Sequence, residues 1–139
     1  MSSNVTIARM VSLESEKPIQ LPADFLETLR PKDDSTTSAV MILAPSTKII
    51  RIIPTKSGKV LKVAIEIGEL SPDFLQELGV VFMRRKIKTL YSTGLCFTQD
   101  TCVYEGYIDT TDITFPESEL KSDLEGIKGV SKVDIIMLE

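Results

Sequence analysis

The second half of the chain alternates between strand-like and helix-like spacing of its hydrophobic positions. The run Val60–Ile67 is rich in β-branched residues and predicts a buried strand. Ser71 is a typical helix N-cap, Pro72 suits the first helical position, and apolar residues then recur at helical spacing up to about Arg84. A strand followed by an amphipathic helix is therefore expected.

Two more strands, a helix and a last strand follow in the pattern. Their expected bounds are residues 87–97 and 101–109 for the strands, 116–128 for the helix and 132–138 for the closing strand. Gly94 predicts a bulge or bend in the first of these strands, and Gly129 predicts the end of the helix. The resulting order β-α-β-β-α-β is that of a ferredoxin-like domain, in which two helices pack on one face of a four-stranded antiparallel sheet.

The first part of the chain has shorter elements. Strands are expected over residues 6–13, 19–21, 39–43 and 48–53, with a short helix over residues 23–29. Such a small unit buries little apolar surface, so it is expected to borrow surface from a second copy. The Pro-, Ser- and Gly-containing turn from Pro54 to Lys59 marks a boundary. We predict an α+β protein with one domain at 1–55, a linker at 56–59 and a second domain at 60–139.

Composition favours a soluble globular protein. Of 139 residues, 42% are hydrophobic and 26% are charged. No apolar stretch approaches the roughly 18 residues needed to cross a membrane, and no signal-peptide pattern is found at the N-terminus. A cytoplasmic protein without a membrane partner is expected. The net charge of −4 means that any contact with nucleic acid must come from a local basic patch.

Residue types also restrict the chemistry. The chain has no histidine and only two cysteines, which excludes His-based nucleophile pairs and the common zinc sites. No catalytic constellation, metal site or cofactor motif is visible, so we predict a protein that is not an enzyme. Cys96 and Cys102 are expected to be small buried apolar residues in a reducing compartment, although they could also face each other across a hairpin.

The C-terminal part resembles the ACT family of regulatory domains. The resemblance rests on the β-α-β-β-α-β order, on the turn Gly68–Ser71 and on the sequence Gly129–Val133 before the last strand. It implies a paired domain that binds a small effector, often an amino acid, where the first strand meets the first helix. The corresponding ligand-binding residues here are Gly68, Glu69, Leu70 and Ser71.

The N-terminal part resembles the AbrB-type swapped-hairpin family of dimeric DNA-binding domains. The matching segments are Ile19–Pro22, Phe25–Leu29 and Ile49–Pro54. The resemblance implies a homodimer or tetramer that meets DNA. The cations most suited to phosphate contact are Arg9, Lys17, Arg30 and Lys32.

Each of these sites has a simpler structural interpretation. The turn Gly68–Ser71 could hold an anion on free backbone amides, or could only bend and cap the chain. The N-terminal cations could offset nearby carboxylates, and the run Arg84–Lys88 could be a solvated helix end. We therefore expect an effector-responsive transcriptional regulator, with a non-DNA-binding accessory protein as the alternative.

Overall fold

The computed structural model describes residues 6–30 and 38–138. Within them, the helices and strands are α1 (Ala23–Leu29), β1 (Ser38–Ala44), β2 (Ile49–Thr55), β3 (Val60–Ile67), α2 (Pro72–Arg84), β4 (Thr89–Thr98), β5 (Thr101–Asp109), α3 (Glu117–Glu125) and β6 (Val130–Leu138). The described chain thus combines helices with two antiparallel sheets, in agreement with the predicted α+β class. No helix in this part of the chain is long and apolar enough to cross a membrane.

Four strands form one antiparallel sheet in the order β4-β5-β3-β6. In the middle of β3, Val63 pairs with Gly106 of β5 on one side and with Ile135 of β6 on the other. Successive side chains of a strand point to opposite faces. Leu61 and Ile65 therefore share one face with Val63, and all three are fully buried there.

Helices α2 and α3 cover this face of the sheet and close the main hydrophobic core. Their buried side chains, together with one from the turn after α3, are Phe74, Leu78, Val81, Phe82, Leu120, Leu124 and Ile127. Apolar residues three and four positions apart form a single stripe on a helix, which fixes the face that each helix turns to the sheet. A fully buried leucine contributes about 1.5–3 kcal/mol relative to an exposed one. Apolar burial therefore sets the helix–sheet arrangement.

Strands β1 and β2 form a separate two-stranded antiparallel hairpin. Val40 and Ile42 of this hairpin are buried against Val60 and Tyr107, which lie on the sheet face opposite the helices. Both strands were predicted, but β2 extends further than expected and includes Pro54. Proline lacks an amide donor and is tolerated only in edge strands or at irregularities. Its place in β2 fits a hairpin whose outer edges are unpaired within the described chain.

The N-terminal segment differs from the prediction. Residues 6–13 and 19–21, predicted as strands, have no regular structure. A strand needs a neighbour for its backbone N–H and C=O groups, and no described segment pairs with these residues. The two predicted strands are therefore wrong for the described chain. Helix α1 forms at the predicted residues, but none of its side chains is buried.

Two glycines have roles other than those predicted. Gly94 pairs in regular register with Tyr104, and the irregularities of β4 lie nearer its two ends. The bulge predicted at Gly94 is absent, and the missing side chain instead leaves space for Leu70. Gly129 has a φ of 92°, but α3 already ends at its C-cap Gly126. Gly129 therefore turns the chain into β6 and does not cap the helix.

Cys96 and Cys102 pair directly across the β4–β5 hairpin and form a disulfide. Their Sγ atoms are 2.09 Å apart and their Cα atoms 3.9 Å apart. The expectation of two buried apolar residues holds only for Cys102, which is 1% exposed. Cys96 is exposed at the edge of the sheet. The strand register, which the sequence pattern does not specify, decides this pairing.

Candidate ligand-binding site

The turn between β3 and α2 carries the residues predicted to bind a ligand. The Ser71 side chain begins α2 by accepting a hydrogen bond from the Phe74 amide at 3.1 Å. The Gly68 amide donates to the Gly129 carbonyl at 3.3 Å. The β3–α2 turn therefore lies beside the turn that leads from α3 into β6. Two of the amides that could have held an anion are already used inside the protein.

A groove of about 1040 Å³ runs between α2 and α3 and includes this turn. Glu69 and Ser71 line it together with Gly129, and the exposed apolar residue of the lining is Val80. Small-molecule pockets usually measure roughly 300–1,000 Å³ and combine an apolar lining with a few polar groups. The groove lies at the upper end of this size range, is open to solvent and has a lining that is about half polar.

Charges of both signs line the groove. The carboxylates of Glu69, Asp73 and Glu77 belong to the turn and to α2, that of Asp123 belongs to α3, and the cations are Arg84 and Lys128. Opposite charges at close range stabilise each other, more so where the surroundings exclude water. A small molecule with both an ammonium and a carboxylate group matches this distribution better than a purely anionic one.

Leu70 has a structural position within the turn. It is partly buried against the main core, and a Cβ atom built at Gly94 would lie only 2.6 Å from Leu70 Cδ2. Of the four predicted residues, Glu69 and Ser71 line the groove. Gly68 and Leu70 instead attach the turn to its neighbours. No local sequence signal distinguishes these two roles, because they depend on strand β4 and on the turn before β6.

The basic run Arg84–Lys88 at the end of α2 is partly engaged in contacts between helices. Arg85 donates through Nε to Asp123 at 2.9 Å and through a terminal nitrogen to Glu119 at 3.0 Å. Its guanidinium also lies 4.7 Å from the ring centre of Phe115. The hydrogen bonds to Asp123 and Glu119 raise the pKa of Arg85. This geometry favours the structural interpretation of the run over a phosphate-binding one.

The cations predicted to contact DNA are dispersed along the N-terminal segment. They are Arg9, Lys17 and Arg30, all exposed, and Lys32, which lies outside the described residues. Arg9 forms an ion pair with Asp24 at 3.8 Å, and Lys17 forms one with Glu14 at 2.8 Å. Exposed pairs of this kind contribute only about 0–1 kcal/mol. A phosphate group could therefore replace either carboxylate at little cost.

Asp109 is a buried hydrogen-bond acceptor at the end of β5. One carboxylate oxygen accepts from the Lys56 amide at 2.7 Å, and the other accepts from the Ser57 hydroxyl at 2.7 Å and the Thr111 amide at 3.1 Å. Burial alone would raise the pKa of Asp109, but these hydrogen bonds outweigh it and lower that pKa. The cluster attaches the linker 56–59 to the end of β5.

Within residues 6–30 and 38–138, no three His, Cys, Asp or Glu side chains are grouped so that they could hold a metal ion. The chain matches no protein-family model, and no curated protein matches it either. A function must therefore be inferred from the geometry of the groove, the hairpin and the N-terminal segment.

Proposed function

We propose that the chain is a transcriptional regulator that responds to a small molecule, and that residues 60–138 are a ferredoxin-like sensor domain of the ACT type. The observation that carries this proposal is the position of Glu69 and Ser71 on the α2–α3 groove, beside Gly129. The strand order β4-β5-β3-β6, with both helices packed on one face, supports the ferredoxin-like assignment.

An amino acid is the ligand class that the groove favours. Glu69 can pair with the ammonium group. The Ser71 hydroxyl accepts from the Phe74 amide and keeps its own proton for donation to a ligand oxygen. Lys128, which also lines the groove, supplies a positive charge for the carboxylate. The apolar lining remains available for the ligand side chain.

Thermal unfolding with each amino acid in turn tests the sensor function. A ligand that binds only the folded state raises the melting temperature by mass action. We expect at least one amino acid to raise it in the wild type and in Glu66→Gln, but not in Glu69→Gln. Glu66 is the matched control because it is exposed on β3 and does not line the groove. If no amino acid shifts the wild type, the sensor function is wrong.

We propose that the hairpin pairs with a second copy of the chain. Met41, Leu43 and Ile50 are 55%, 60% and 57% exposed, and Leu43 pairs directly with Ile50 across the strands. Together they expose roughly 300 Å² of apolar surface, which is comparable to the largest patch on many monomers and often marks a functional surface. In a two-fold interface the same patch of both subunits meets. An uncharged patch therefore avoids bringing like charges together.

We propose that the N-terminal segment 6–30 contacts DNA. Each subunit of the dimer would supply one such segment on the same side. Filter binding at low salt with genomic fragments tests it. Replacement of Arg9 and Arg30 by alanine should weaken binding and lower its salt dependence, because each lost phosphate contact removes about one released counterion. Lys132→Ala on the exposed end of β6 is the control and should bind like the wild type. Absence of any DNA binding would contradict this role.

A second candidate is an accessory protein that responds to the same ligand without binding DNA. Two observations favour it: Arg9 and Lys17 already have carboxylate partners, and the net charge is −4. A ligand-induced rise in melting temperature without DNA retention would select this candidate.

A further inference from the structure

The Cys96–Cys102 disulfide is placed where a small thiol can reach it. β4 is an edge strand of the sheet, and Cys96 is exposed on it. Cys102 lies on the neighbouring strand β5 and is 1% exposed. Exchange of a disulfide requires a thiolate to reach one of the two sulfur atoms. Approach is therefore open from the side of Cys96 and closed from the side of Cys102.

The bond adds little constraint to the fold. The two cysteines are only 6 residues apart in sequence, and backbone pairing of β4 with β5 already holds them opposite each other. A disulfide constrains the unfolded chain less when the loop it closes is short. Cys102 is itself a member of the main core, but most of that core is formed by other buried side chains of β3, β5, β6 and the two helices. A purely structural role therefore explains the pair poorly.

The same hairpin contacts the candidate ligand-binding turn. Gly94, two positions before Cys96 on the same strand, lies so close to Leu70 that an added Cβ would meet its Cδ2 at 2.6 Å. An added Cβ at Gly68 would lie 3.6 Å from the Asp100 carbonyl oxygen in the hairpin loop. A register irregularity also follows Cys96 in β4. Any rearrangement of this end of the hairpin therefore reaches the turn.

We propose that Cys96 and Cys102 form a reversible thiol–disulfide site, and that its redox state controls the order of the Gly68–Ser71 turn. The sequence predicts a reducing compartment, where disulfides are usually transient and serve catalysis or redox sensing. The regulatory meaning rests on the proposed function of the turn, whereas the thiol chemistry does not.

The reaction partner is a low-molecular-weight thiol and its disulfide, such as the glutathione couple. A thiolate attacks Cys96 Sγ, forms a mixed disulfide and breaks the protein bond, and the released Cys102 thiolate takes up a proton. A second thiolate attacks the outer sulfur of the mixed disulfide. Cys96 then leaves as a thiolate and is protonated in turn. Two thiols have become one disulfide, and the protein disulfide has gained two electrons and two protons.

Thiol labelling of the folded full-length chain tests the exchange. After incubation with reduced glutathione, mass spectrometry should show the two-proton gain of the dithiol, with an unchanged circular dichroism spectrum. Subsequent exposure of the dithiol to oxidised glutathione should reverse the gain. A bond that becomes reducible only when denaturant unfolds the chain would overturn the proposal.

Hydrogen exchange tests the coupling without any ligand. Reduction of the wild type should speed exchange at the hydrogen-bonded amides of Gly68 and Phe74 by roughly fivefold, as local opening of the turn becomes easier, and should leave α3 unchanged. Cys96→Ser should show the faster rate with or without reductant. Equal rates in the oxidised and reduced wild type would overturn the coupling. If no amino acid binds, the sensor function is wrong. The reduction assay and the hydrogen-exchange comparison still test the disulfide proposal in that case.

Discussion

Ser57 Oγ and Asp109 Oδ1 lie 2.7 Å apart, and this hydrogen bond joins the linker after the β1–β2 hairpin to the end of β5. Asp109 is only 5% exposed, and the Lys56 amide adds a second contact at 2.7 Å. A buried carboxylate is tolerated only when hydrogen bonds replace its lost hydration. The cluster therefore fixes the linker conformation and, with it, the place where the hairpin leaves the sheet.

Asp109→Asn should destabilise the chain by about 2 kcal/mol, because it removes charge-assisted hydrogen bonds from a buried acceptor. The new amide nitrogen also places a donor against the Lys56 or Ser57 donor. Urea unfolding at neutral pH measures the change. Asp134→Asn is the control, since Asp134 is exposed on β6 and should change stability by less than about 0.5 kcal/mol. Equal effects of the two substitutions would mean that the hydrogen bonds of Asp109 do not stabilise the fold.

The same carboxylate predicts a pH dependence. The hydrogen bonds hold the pKa of Asp109 below its ordinary value in the folded chain, so the unfolded chain binds a proton more readily. The stabilisation is therefore complete above an ordinary aspartate pKa of about 3.9 and is lost as the pH falls through the folded value. Urea unfolding of the wild type and Asp109→Asn should converge in this acidic range. A stability difference that stays constant down to pH 3 would contradict the assignment.

Gly94 and Gly79 form a matched pair for alanine substitution. Gly94→Ala should destabilise the chain by about 1 kcal/mol and speed hydrogen exchange at the β3–α2 turn, because the new methyl group displaces Leu70. Gly79 lies within α2 with nothing within 4 Å of an added Cβ. Gly79→Ala should stabilise the chain by up to about 1 kcal/mol, because alanine favours a helix. Similar changes in stability for the two substitutions would mean that the position of Leu70 does not require a glycine at residue 94.

Leu43→Lys tests the proposed second copy on the hairpin. The side chain is 60% exposed in the single chain, so the fold should tolerate a lysine, whereas a two-fold interface would bring two lysines together without partners. Analytical ultracentrifugation should show a wild-type dimer and a monomeric variant. Met83→Lys is the control because Met83 is 80% exposed on α2, away from the hairpin. A wild-type monomer, or a dimer that Leu43→Lys leaves intact, would contradict this interface.

Local sequence patterns were sufficient for the elements whose signals are short-range. Strands β3 and β5 have the predicted bounds, because β-branched and aromatic residues fit a pleated buried surface. Helix α2 begins at Pro72 after the Ser71 cap, as capping chemistry requires. The observed bounds of β4 and of α3 differ from the predicted ones by a few residues. The first and last residues of a helix or strand depend on what packs against them.

The predicted strands before α1 show the limit of such patterns. Residues 6–13 have suitable composition, yet they find no pairing partner among the described residues. The backbone hydrogen bonds of a strand are made with neighbouring strands, so composition alone cannot establish a strand.

The residues of the candidate site show the same difference between local sequence signals and tertiary contacts. The sequence by itself determined that Ser71 caps a helix after a glycine bend, because both signals lie within a few residues of each other. Only the tertiary structure decided that Glu69 faces a groove, that Leu70 covers Gly94, and that Cys96 meets Cys102. These contacts join residues from separate elements, and strand order and register, set by burial of the whole core, bring them together.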